Sequence, residues 1–260
     1  MNSLIAKAMT QWPGQLFKPG IPHFRERPII PIQTSAHFIA FDCEKVSALY
    51  GFRKLDAEAN EVNVDRKDNL SDGDFTLPDE LCTTEKDYAQ WNKDNPDFPV
   101  DKGHIDGSQF ARENLEHQAD IDILAGNTPE ASGVNRNIKG PLESAIKKRI
   151  NDFISFWYCA GPGWYGTEPI NGKLQNGQWI PDFLWISTFA RKGKSLEAYA
   201  WVMENVADKS EANLREISLD ELESMTGLYL WGNVNASKFK KTRSKTHGDD
   251  WWLAGQPKQD

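Results

Sequence analysis

His104, Asn135 and Glu143 are three side chains whose types and spacing could break a phosphodiester bond. His104 closes the run Asp101-Lys102-Gly103-His104, Asn135 follows 31 positions later, and Glu143 comes eight positions after that. Hydrolysis of such a bond needs a deprotonated water in line with the leaving oxygen, and compensation for the negative charge gathering in the transition state. Histidine suits the first task, because its ordinary pKa of about 6.5 lets it take a proton at neutral pH. A hard divalent cation suits the second, and Mg²⁺ prefers oxygen ligands while keeping most of its waters. One amide oxygen from Asn135, with the Glu143 carboxylate acting through water, would be a sufficient contribution from the protein.

These residues must be held by elements that the chain's pattern outlines. His37–Cys43 alternates with β-rich residues and predicts a strand; Val46–Phe52 predicts a second, after a short turn at Glu44-Lys45. Residues 56–100 are polar and acidic and predict a loop region with a short helix near Thr84–Asn92. Phe98-Pro99-Val100 predicts the end of a strand just before Asp101, and Ser108–His117 a helix. A short strand is expected over Ile121–Leu124. Leu142, Ile146 and Ile150 fall at helical spacing, and Pro141, tolerated in a first turn, sets the start of that helix near 138–141 with Asn135 just ahead of it. Phe153–Cys159, Trp179–Ala190 and Leu196–Glu204 predict further strands, the last two joined by the basic turn Arg191–Lys194. Ser218 and Glu221 form a capping-box pattern for a helix ending at Gly227. Strands and helices alternate without βαβ regularity, so the class is α+β.

Composition bounds the reading. The 260-residue chain carries a net charge of −8 and a pI of about 5.2, so its surface as a whole is not that of a nucleic-acid binder. Local charge matters more, since screening limits reach to about 8–10 Å at physiological salt. Arg136, Lys139, Lys147, Lys148 and Arg149 cluster around the proposed ligands and are expected to touch phosphates. Lys238, Lys240, Lys241, Arg243, Lys245 and His247 form a second cluster, read as a solvated face. Three cysteines without CxxC spacing predict neither a zinc site nor a disulfide framework. No apolar run is long enough for a transmembrane helix, and no membrane partner is expected. The first residues lack the apolar stretch of a secretory signal, which predicts a cytoplasmic protein, with non-classical export or delivery left open.

Taken together, Asp101-Lys102-Gly103-His104, then Asn127-Thr-Pro-Glu130, then Asn135 with Leu142-Glu143, resemble the DNA/RNA non-specific endonuclease family, the ββα-metal or His-Me finger group that includes the endonuclease G type. Tyr158-Cys-Ala-Gly-Pro162, Ile180-Pro-Asp-Phe183, Ala198–Asn205 and Ile217–Trp231 resemble later family segments in the same order. The resemblance implies a ββα-metal core with a mostly antiparallel central sheet flanked by helices and long loops. It implies Mg²⁺ or Mn²⁺ as cofactor, DNA and/or RNA as substrate, His104 as the base, Asn135 as the metal ligand, and Glu143 and Lys147 as organisers of the surroundings. Lys102 and Arg66 are implied phosphate contacts. A catalytically inactive nucleic-acid- or protein-binding module on the same fold is the alternative. An inhibitor or immunity protein and a homodimer stay open as partners. Three departures stand out: Lys102 replaces the family's Arg, Pro141 falls where the family has helix, and Glu130 replaces Gln, setting an acidic group where a polyanion should pass. The expected domains are a proline-rich arm over 1–35, one nuclease domain over 36–232, and a basic, aromatic tail over 233–260.

Overall fold

The computed structural model describes residues 29–34, 37–55, 77–110, 122–232, 242–244 and 246. Its centre is a seven-stranded antiparallel sheet in the order β1 (Ile29–Gln33), β2 (Phe38–Asp42), β3 (Ser47–Leu55), β6 (Ser155–Gly163), β7 (Phe183–Lys192), β8 (Ser195–Glu204) and β9 (Arg215–Ile217). A separate two-stranded ribbon pairs β4 (Val100–His104) with β5 (Asn127–Ala131). The helices are α1 (Glu85–Asp94), α2 (Gly140–Arg149) and α3 (Leu219–Thr226). Among the described residues no helix is long and apolar enough to cross a membrane.

The strands are apolar almost throughout because both faces of the sheet are covered. Successive side chains of a strand point to opposite faces. Along β7, Phe183, Trp185 and Phe189 enter one core with Trp231 and the α3 residues Leu219 and Leu222. Their neighbours Leu184, Ile186 and Ala190 enter the other, against Leu142, Ile146 and Ile150. Those three residues recur every fourth position, so α2 lays one stripe on the sheet, and each buried aliphatic contributes about 1.5–3 kcal/mol. This packing fixes the helix that must carry Glu143.

The caps follow their residue types. Ser218 Oγ accepts from the Glu221 N–H at 3.1 Å, and Gly227 takes the left-handed conformation, φ 70°, that ends α3. The capping box is only half formed, because the Glu221 carboxylate turns to Arg215 instead, at 2.8 Å. Gly193 (φ 60°) makes the expected turn between β7 and β8.

Several expectations are corrected. Ile29–Gln33, inside the expected arm, is a strand of the sheet. The strand expected over Ile121–Leu124 is instead a 3₁₀ turn at Leu124–Gly126, followed by β5. Only Ser108–Phe110 of the Ser108–His117 helix lies among the described residues, as a 3₁₀ turn. Arg243 is no solvated charge: it donates to Asp220 (3.0 Å) and to the Leu230 carbonyl (3.0 Å), and pairs with Glu223, tying it to α3. Arg66 and the other members of the C-terminal basic cluster lie outside the described residues.

Candidate active site

Asp101-Lys102-Gly103-His104 is itself strand β4 rather than the loop after one, and it runs antiparallel to Asn127–Glu130, with His104 opposite Asn127 and Asp101 opposite Glu130. Gly103 is required by proximity and not by backbone angle. A Cβ there would lie 1.9 Å from Cδ of Glu130, so the glycine is the gap into which that carboxyl group folds. Glu130 is fully buried, and its charge faces inward rather than toward a passing polyanion. Burial pushes its carboxyl up from 4.5 to about 7, with Lys139 pulling the other way.

The helical segment opposite the ribbon begins earlier than Pro141 suggests. Ser132–Val134 and Asn135–Lys139 lead directly into α2, and the second of these is a π turn in which the Gly140 N–H bonds to the carbonyl of Asn135. Asn135 therefore lies inside the helix rather than ahead of it. Pro141 has no N–H to give, so the change of register falls where a helical bond is missing in any case. The wide turn also solves an alignment problem. Eight ordinary helical steps rotate a side chain by about 800°, roughly 80° past two turns. One residue absorbed in a π-bulge leaves about 700°, within roughly 20° of two turns. Asn135, Lys139 and Glu143 then share one face, and the first two meet β4 directly.

Each makes a contact consistent with that face. Asn135 Nδ2 donates to Asp101 Oδ2 (3.4 Å), which commits the other amide atom, Oδ1, to any cation. Asp101 is held in turn by Ser132 Oγ (2.8 Å) and by the two-pronged Arg136 guanidinium (2.8 and 2.6 Å). Lys139 is buried, and its ammonium donates to the His104 carbonyl (2.6 Å) and to Glu130. Its expected phosphate contact gives way to an internal ion pair. Glu143, 6 % exposed, accepts from Tyr158 Oη (3.0 Å) and Gln109 Nε2 (3.2 Å), with Lys139 Nζ at 4.0 Å. Burial raises its carboxyl group, while Lys139, Tyr158 and Gln109 draw it back down.

His104 is also buried, and its Nε2 lies 2.8 Å from Asp122 Oδ1. Sequence spacing does not single out Asp122: it stands 18 positions downstream within the strand expected over Ile121–Leu124, and only the turn that leads into β5 brings it back. Tyr158 and Gln109 do not stand out either, since one falls in an apolar strand and the other in the helix expected over Ser108–His117.

The remaining basic residues divide. Lys102 pairs with Glu85 at the start of α1, and Lys147 Nζ donates to the Gln109 carbonyl (2.9 Å). Arg136, 70 % exposed, and Lys148, also exposed, face solvent. A divalent cation fits this set on its donor chemistry: a neutral amide oxygen on the solvent-reachable side of a helix, with a carboxylate two turns further on. Among the described residues no cluster of three His, Cys, Asp or Glu offers a closed cage.

The family model described as DNA/RNA non-specific endonuclease matches residues 14–237. A nuclease from Nostoc sp. (strain PCC 7120) is 26 % identical over 197 residues, covering 70 % of this chain and 66 % of that protein. A nuclease from Serratia marcescens is 26 % identical over 156 residues, covering 56 % of each. The chain thus spans slightly less than two thirds, and little more than half, of their lengths. A chain from the crystal structure of an EndoG/EndoGI complex, described as showing the mechanism of EndoG inhibition, superposes with a TM-score of 0.73 at 19 % identity. That match covers 86 % of this chain and 93 % of the other, and shows a shared fold.

Proposed function

Because the chain belongs to the DNA/RNA non-specific endonuclease family, we propose that it is a divalent-metal-dependent endonuclease that hydrolyses DNA, RNA or both with little sequence specificity. The observation that carries this reading is the face formed by Asn135, Lys139 and Glu143 against β4, where Asn135 meets Asp101 and Lys139 meets His104.

In this mechanism His104 takes the proton of the attacking water, a role suited to an imidazole at neutral pH. Asn135 would hold the cation through its amide oxygen, and Glu143 would orient the waters around it. A bound Mg²⁺ or Mn²⁺ supplies charge compensation for the phosphorane and the departing 3′ oxygen. Tyr158 and Gln109 keep the Glu143 carboxylate in one orientation, so no rearrangement is needed when substrate arrives. Arg136 and Lys148 on the exposed side grip phosphates, which carry no sequence information. Lys102, already paired with Glu85, is a weaker contact. An inhibitor protein is a fitting partner for such an enzyme, in keeping with the EndoG inhibition described for the structurally similar chain.

The test is degradation of plasmid DNA and of RNA by purified protein with Mg²⁺ or Mn²⁺ and with EDTA. Activity that needs the cation and falls by about 10²–10⁴-fold in His104→Ala is expected. Metal-dependent activity that survives His104→Ala would remove His104 as the base. No degradation with any divalent ion would leave a binding module on the same fold.

A further inference from the structure

We propose that Asp122 is the positioning residue for His104, fixing which ring nitrogen acts as the base. The inference rests on the reading of His104 given above. His104 Nε2 and Asp122 Oδ1 are 2.8 Å apart, and the side chains are 8 % and 3 % exposed, so little water competes for the contact.

A carboxylate has only acceptor atoms. A neutral imidazole facing it at Nε2 must carry its proton on that nitrogen, which places the basic lone pair on Nδ1. Proton transfer from water then occurs at Nδ1, and the imidazolium so formed keeps its Nε2–H on Asp122. The proton gained at Nδ1 comes from water, the hydroxide that remains attacks phosphorus, and the P–O bond to the leaving oxygen breaks. Asp122 exchanges no proton in this sequence. It sets the tautomer and orients the ring, and it stabilises the charge that the ring acquires.

The carboxylate is anchored for this purpose. Asp122 leads into the Leu124–Gly126 turn, whose Gly126 carbonyl accepts from the Ile105 N–H (3.0 Å), immediately after His104. Asn127, directly opposite His104, closes the same turn through Nδ2 to the Ile123 carbonyl (2.8 Å). Ring and carboxylate are thus carried by two segments that are bonded to each other through the Ile105–Gly126 and His104–Asn127 pairings. Of the charged groups described nearby, Lys139 sits on the His104 carbonyl, Glu130 is paired with Lys139, Asp106 is bonded to His37 at 2.8 Å, and Glu143 is held by Tyr158 and Gln109. Among the described contacts, Asp122 is the carboxylate placed on the ring itself.

The experiment compares the full chain with Asp122→Asn, using His104→Gln to assign the His104 resonances. Long-range ¹H–¹⁵N spectra of ¹⁵N-histidine-labelled protein should show His104 as the Nε2–H tautomer in the wild type, and a loss or mixture of tautomers in Asp122→Asn. In nuclease assays the variant should lose about 100-fold or more in kcat with KM for nucleic acid little changed, and the acid limb of its pH profile should move to lower pH. A residue that merely braces the fold would not move that limb. A wild-type His104 protonated on Nδ1, or an acid limb left in place by Asp122→Asn, would overturn the proposal. A wild-type protein without nuclease activity would overturn the functional reading instead, and the tautomer would still be read by NMR.

Discussion

Lys139 donates to the carbonyl of His104 at 2.6 Å, so the helix that carries Asn135 and Glu143 is tied through a buried cation to the backbone of the residue read as the base. The same ammonium neutralises Glu130, which fills the gap beside Gly103. A lysine placed this way sets the separation of helix and strand. It does not reach a phosphate in solvent.

Lys139→Met should therefore destabilise the fold by about 3 kcal/mol, because it leaves Glu130 buried without its partner. Catalysis should fall with it, while the salt dependence of nucleic-acid binding stays at the wild-type slope. Urea unfolding and binding titrations at several salt concentrations check both halves. A shallower salt slope would return Lys139 to the phosphate-binding surface.

Lys148→Ala should behave in the opposite way. Its side chain is exposed, so removing it should weaken binding evenly across sequences and reduce the slope of log K against log salt by about 1, with stability nearly unchanged. Fluorescence anisotropy with labelled oligonucleotides of unrelated sequence is the measurement.

Glu130 gives a prediction in pH. Its carboxyl group is raised from 4.5 to about 7 in the folded protein, chiefly by burial. The folded state then holds this proton more tightly than the unfolded chain does. The stability it contributes is complete below about pH 4.5 and is lost as pH rises through about 7. Relative to wild type, Glu130→Gln should gain stability by about 3 kcal/mol between those limits and run parallel to it outside them, whatever its constant offset from the lost ion pair. Urea melts of both proteins from pH 4 to pH 8 give the difference curve, and a flat one would contradict the shift.

Gly103→Ala should be severely destabilising, since the added methyl meets the Glu130 carboxyl group at 1.9 Å. Glu130→Ala removes that obstacle. The double variant should therefore be more stable than the sum of the two single effects requires, a coupling that a thermal or urea double-mutant cycle reads directly. Additive losses would mean that the glycine is needed for some reason other than this contact.

Asn135→Ala should leave the fold nearly intact while raising the Mg²⁺ or Mn²⁺ concentration needed for half-maximal activity. Calorimetric titration of Mn²⁺ in the absence of substrate separates a loss of cation binding from a loss of turnover.

His104, Asn135 and Glu143 stand out in the sequence because their spacing belongs to a family pattern, and the structure sets Asn135 and Glu143 on one helical segment and His104 on the ribbon. Their supports do not stand out. Lys139 sits in a basic run, and charge in a sequence carries no depth, so a buried ion pair and a solvated face read alike. Asn127-Thr-Pro-Glu130 stands out only as part of the family resemblance, yet it pairs with β4 over its whole length. The π turn at Asn135–Lys139 leaves no trace in the apolar stripe of Leu142, Ile146 and Ile150, which begins only after it. The main sheet was easier: β3, β6, β7 and β8 are long apolar runs, and only burial on both faces explains them. β9, three residues long, is too short to show a period.

The ribbon β4–β5 has its own consequence. A two-stranded ribbon is barely stable by itself, and a single buried amide helps fasten this one to the sheet. Asn205, at the end of β8, accepts from the Ala131 N–H (2.7 Å) and donates to the carbonyls of Pro129 (3.3 Å) and Pro181 (2.9 Å). His104 thus rides on the element with the least stability of its own. On warming, the ribbon should come away while the seven strands stay paired, so the proposed nuclease activity should be lost at a lower temperature than the sheet.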